Sequence, residues 1–191
     1  PPTPAVPPPT PTAPPPTPAV PPPTPPMPPP TPTLPPPTPA LPPPTPPTPK
    51  SPHGVDVDPT GEYIVGSGKL AALIPVFSYT KMLKAIADKA FEGEFEGIPV
   101  IKYEAALHGE VQKPGLGPLH TEFDGKGNAY TTFFVSSEIV KWNIKDLKVL
   151  DRAPTFYSVG HLCIPGGDTK KPSPKYVIAY NKITKDRYLP T

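Results

Sequence analysis

The chain has 191 residues, 41 of them proline, and a formal charge of only +2. So small a charge gives no electrostatic footprint for nucleic acid or a membrane surface. No window approaches the roughly 18 consecutive apolar residues of a membrane span, and no charged, apolar leader marks a signal peptide. A single cysteine, Cys163, excludes a disulfide framework or a CxxC metal site within the chain.

Composition divides the sequence near Lys50. Residues 1–49 hold 30 of the 41 prolines and no charged residue, aromatic residue or glycine. Thr3, Thr10, Thr17, Thr24, Thr31, Thr38 and Thr45 recur every seventh residue in the unit Pro-Pro-Pro-Thr-Pro-x-x. Proline fixes φ and donates no hydrogen bond, so helix and sheet are closed to this segment and polyproline II is expected. At about 3.1 Å per residue it would extend about 150 Å. In composition the repeat resembles hydroxyproline-rich glycoproteins of extracellular matrices and the Pro-Thr linkers of secreted bacterial enzymes. Two readings follow: a stiff solvated spacer, or a structural fibre or stalk with sugars on the seven threonines or on modified prolines.

Residues 50–191 read as mainly β with one short helix. Three histidines, His53, His120 and His161, each fall where a strand begins. The first two are followed alike by a short strand, an Asp-x-x-Gly turn, and a strand opening on Tyr63 or near Tyr130. That rhythm is expected of a β-propeller, in which one position per blade can face the central axis. At about 40–45 residues per blade the segment is long enough for about three blades.

In chain order, strands are expected at 55–58, 63–67 and 73–79, with Pro75 suggesting a sheet edge. A helix is expected at 80–91, where Met82, Leu83, Ile86, Ala87, Ala90 and Phe91 recur at helical spacing and Ser78 or Thr80 can cap it. Further strands are expected at 98–103, 119–123, 129–135, 139–144 and 176–180, with loops at 112–118 and 166–175. Asp56, Asp58 and Asp124 read as turn residues, His108 as exposed, Cys163 as a small core residue, and Lys170-Lys171 as a solvated pair.

The segment from residue 49 onward resembles nitrous oxide reductase. The resemblance rests on Ser51-Pro-His-Gly54, Tyr63-Ile-Val with Gly68-Lys-Leu70, and the run from Gly117 through His120 and Asp124 to Thr132. It continues through Val140-Lys-Trp-Asn-Ile144, Gly160-His161 and Asn181-Lys182 with Lys185-Asp-Arg187. It implies a seven-bladed propeller, a copper–sulfide cluster held by seven histidines, and reduction of N2O to N2 with electrons from a donor. It places three copper ligands at His53, His120 and His161, and a catalytic cation at Lys182. Calcium is a second ion that it brings in, and a periplasmic or extracellular location follows from it. Four of the family's ligands and its cupredoxin domain have no counterpart in this sequence. Two function classes therefore stand side by side. One is a fragment of a copper enzyme, with N2O and an electron donor as partners. The other is a glycosylated structural fibre, with glycans or other copies of the chain as partners.

Overall fold

The computed structural model describes residues 46–182, and the period-seven threonines lie outside them. Residues 46–49 adopt neither helix nor strand. The rest is mainly β, as the alternating patterns require. Two four-stranded antiparallel sheets dominate. The first holds β1 (Pro52–Val57), β2 (Tyr63–Gly68), β3 (Leu73–Ser78) and β6 (Leu107–Gln112), in that order. The second holds β7 (Pro118–Phe123), β8 (Asn128–Phe133), β9 (Glu138–Asn143) and β10 (Val149–Pro154), also in sequence order. β11 (Val159–Cys163) and β12 (Ile178–Asn181) pair as the start of a third sheet. The hairpin β4 (Phe91–Phe95) and β5 (Ile98–Ile101) lies between β3 and β6.

Each four-stranded sheet is one propeller blade, and the first strands of all three sheets are neighbours, with β7 against both β1 and β11. Two turns of one design build the blades. The Asp58 carboxylate accepts hydrogen bonds from the backbone N–H groups of Thr60, Glu62 and Tyr63, at 2.9–3.2 Å. Asp124 accepts from the N–H groups of Lys126 and Asn128 and from the Asn128 amide, at 2.7–3.1 Å. Each carboxylate thereby satisfies donors that a tight turn leaves unpaired.

The main core lies between the two blades. Val65, Ile74, Val76 and Val111 from the first meet Phe123, Ala129, Phe133, Val140 and Trp142 from the second. The other face of the first blade is covered by helices. Phe77 packs there with Ala85 of α1 (Tyr79–Ala87), Ala106 of α2 (Tyr103–Ala106) and Ile101 of β5.

Several expectations need correction. Pro75 is not at an edge, because β3 pairs with β2 on one side and β6 on the other. Pairing with β2 stops at Val65↔Val76, one residue short of the proline, so its missing donor breaks no rung there. α1 starts at Tyr79, where the Ser78 hydroxyl caps it by accepting from the Lys81 N–H, and ends at Ala87. Lys89 takes a left-handed φ of 53° that stops the helix, and Phe91 opens β4 instead. α2 is a second, unexpected helix, and β4, β6 and β10 are unexpected strands. Cys163 is exposed, not core. His108 is half-buried, its ring 4.7 Å from that of Tyr63. Among the described residues no helix is long and apolar enough to cross a membrane.

Candidate metal centre

The three histidines sit on the first strands of three successive sheets: His53 on β1, His120 on β7 and His161 on β11. Because those strands are neighbours, side chains 67 and 41 positions apart in sequence come together. The His53 and His120 ring centroids are 5.0 Å apart with planes at 72°. Those of His120 and His161 are 4.2 Å apart and stacked, with planes at 22°. Lys182 follows β12 and brings its Nζ to 3.1 Å from His53 Nε2. His161 and Cys163 are two residues apart on one strand, so both project from the same, exposed face of β11.

Two glycines permit this closeness. A Cβ on Gly54 would lie 2.0 Å from the Leu119 carbonyl oxygen and 3.3 Å from His120 Nδ1. A Cβ on Gly160 would collide with the Lys182 side chain. Both glycines adjoin a histidine in sequence, in His53-Gly54 and Gly160-His161, and that pairing was a legible signal of close approach.

Burial, with the neighbouring histidines and Lys182 after it, pushes the His120 pKa down to about 4. His53 is lowered as well, first by what covers it and then by the charge of Lys182. A cation is unwelcome on either ring, and neutral imidazole is the form that ligates metal.

The donor set fits copper, which imidazole suits. His120 Nε2 fits too: it is buried and has no hydrogen-bond partner among the described residues. The orientation of the rings fits less well. Among the described residues, no three His, Cys, Asp or Glu side chains converge on one metal position. Stacked rings direct their nitrogens side by side instead of at one point, so a shared ligand requires His120 or His161 to turn about its side-chain torsions. An apolar cavity of about 270 Å³ between residues 46–49 and α1 holds no titratable group and adds nothing to the cluster.

Asp56 is not a turn residue. It lies within β1, and its Oδ2 accepts the Thr121 N–H of β7 at 2.7 Å, joining the two blades beside the histidines. Burial outweighs that hydrogen bond and raises its pKa from 3.8 to about 6. Glu122 is raised to about 7, by burial first and then by Asp168 and Asp56. A carboxyl whose pKa is higher folded than unfolded binds its proton more tightly in the fold. Stability should therefore fall as pH rises from about 4 to about 7, with the Asp56 share lost by about 6 and the Glu122 share by about 7, and stay reduced above that. For Asp56 the rise corresponds to at most about 3 kcal/mol. Asp56→Asn keeps an acceptor for Thr121 and removes the charge. Urea unfolding should find the variant more stable than the wild type at pH 8 and equal to it near pH 4. A gain independent of pH would show that ionisation of Asp56 is not the cause.

Comparison with known proteins adds the family. Residues 152–191 match the nitrous oxide reductase propeller repeat. Nitrous-oxide reductases from Ralstonia nicotianae and Cupriavidus necator are each 39% identical over 152 residues, and that of Stutzerimonas stutzeri is 34% identical over 151. The folded segment is homologous to part of the nitrous-oxide reductase propeller. The matches cover 74% of this chain and 22% of the length of each relative, so the chain spans less than a quarter of the curated proteins it matches. Among solved structures, Kuenenia stuttgartiensis hydrazine synthase aligns over 62% of this chain and 27% of its own, with a TM-score of 0.45 and 12% identity, which is only a loose likeness.

Proposed function

We propose that the propeller segment belongs to a copper-dependent nitrous-oxide reductase, and that His53, His120 and His161 are its share of the copper ligands. The supporting observation is the proximity of three imidazoles, one from each sheet, with ring centroids 5.0 and 4.2 Å apart and the buried His120 Nε2 lacking a partner among the described residues. Bound copper would pass two electrons from an external donor to N2O, which with two protons yields N2 and water. The chain's own residues hold lone pairs at the blade seam, and Lys182 places a cation beside them that can stabilise negative charge on a departing oxygen. The electron donor, the periplasmic location and the division into an extended repeat at 1–49 and a propeller part at 50–191 belong to the same proposal.

The test is copper affinity of the full chain, measured by competition with a chromophoric chelator. His120→Ala should weaken binding by at least the 10–100-fold typical of losing even an outer-sphere partner. Equal affinity in wild type and variant would remove the histidines from the ligand set. Three histidines are fewer than the seven that the resemblance implies. The copper-loaded chain with reduced viologen should accordingly yield no N2 above the His120→Ala control.

A further inference from the structure

Lys182 does not reach His53 by chance of rotamer. Its backbone N–H donates to the Ser158 carbonyl at 2.9 Å, which anchors the start of the side chain. From there its stem crosses Gly160. An ideal Cβ on Gly160 would lie 2.6 Å from Lys182 Cγ, 2.9 Å from Cδ and 2.7 Å from Cε. Gly160 is itself held, because its carbonyl accepts the Thr132 hydroxyl of β8 at 2.5 Å. With both backbones fixed, the one remaining freedom is the path of the lysine stem.

The geometry points to Gly160 as a positioning residue for Lys182: the missing Cβ is a track that directs the ammonium onto His53 Nε2. A lysine side chain has many rotamers of similar energy, so an open surface would not hold it in one placement. The contact has a chemical consequence. An ammonium only donates, so the facing Nε2 must be the acceptor and the proton of neutral His53 resides on Nδ1. Gly160 thus selects the tautomer of His53 through Lys182. The relevance of that selection to copper rests on the function proposed above, but the contact itself requires no metal.

Alanine at 160 is a clean probe. Gly160 has no left-handed φ, and the atoms that a methyl would strike belong to a flexible side chain, so the fold can accept it by releasing the lysine. The experiment is long-range ¹H–¹⁵N imidazole spectroscopy on the metal-free full chain at neutral pH. Wild-type His53 should show a single tautomer with an unprotonated Nε2. Gly160→Ala and Lys182→Met should each lose that signature, and the double variant should lose no more than either. His108, whose Nε2 is 3.3 Å from the Lys145 carbonyl, is the internal control and should not change in any variant. The assignment is overturned by a wild-type His53 pattern in Gly160→Ala, by additive effects in the double variant, or by a simultaneous change at His108. Failure of copper binding would sink the proposed function and leave this readout untouched.

Discussion

Replacing Gly54 by alanine is expected to cost about 3 kcal/mol or more, at the upper end of what overpacking a core does. The new methyl would sit 2.0 Å from the Leu119 oxygen and 3.1 Å from its carbon, where real Cβ atoms are essentially never found within 3.0 Å. Unlike the lysine above Gly160, a backbone carbonyl of β7 cannot swing aside, since Thr121↔Thr131 and Glu122↔Tyr130 pairing fix the strand just beyond it. β1 must then move off β7, which also breaks the Asp56–Thr121 hydrogen bond and parts the His53 and His120 rings. Urea unfolding followed by circular dichroism should show a large drop in midpoint. Gly93→Ala is the matched control: nothing lies within 4 Å of a Cβ there, so the change should be neutral or slightly stabilising. A Gly54→Ala midpoint equal to that control would mean the blades are not in contact at this point.

Trp142→Ala should be about as severe, at about 3–5 kcal/mol. Trp142 is fully buried between the blades. Its Nε1–H donates to Thr131 Oγ1 at 2.9 Å, and Thr131 in turn shares a hydrogen bond of 2.8 Å with Thr121 Oγ1. Truncation leaves a cavity and strips a partner from a buried hydroxyl in the same step. Against a domain stability of about 5–15 kcal/mol, much of the folded population is at stake. Trp142→Phe retains most of the volume and loses only the donor, so it should cost about 1–3 kcal/mol. Because Trp142 is the single tryptophan, the midpoints must come from circular dichroism. Equal midpoints for the alanine and phenylalanine variants would show that volume at this site is unimportant.

Two of the three strands that escaped the sequence reading, β6 and β10, share a physical cause. β10 is the outermost strand of its blade, and five of its six residues are exposed, so Val149–Pro154 shows no alternation of apolar and polar residues. β6 is outermost in the first blade and carries His108, Gly109 and Glu110 through its middle. The middle strands β2, β3, β8 and β9, buried on at least one face, were legible because burial imposes a pattern. Helix α1 was legible in its apolar spacing but not in its end, because Lys89 turning left-handed leaves no mark in composition.

By itself the sequence determined the strand-turn-strand rhythm, the two carboxylate-built turns, the strand at 139–144 that carries Trp142 and the candidacy of His53, His120 and His161. Each of these is local: a period, a turn residue or a motif within a dozen positions. The tertiary structure alone decided that Asp56 bridges β1 to β7 across 65 residues, that Lys182 meets His53 across 129, and which atoms fill the space beside Gly54 and Gly160. Such contacts depend on how one blade packs on the next. Packing is set by the sum of many buried side chains, so no short stretch of sequence records it.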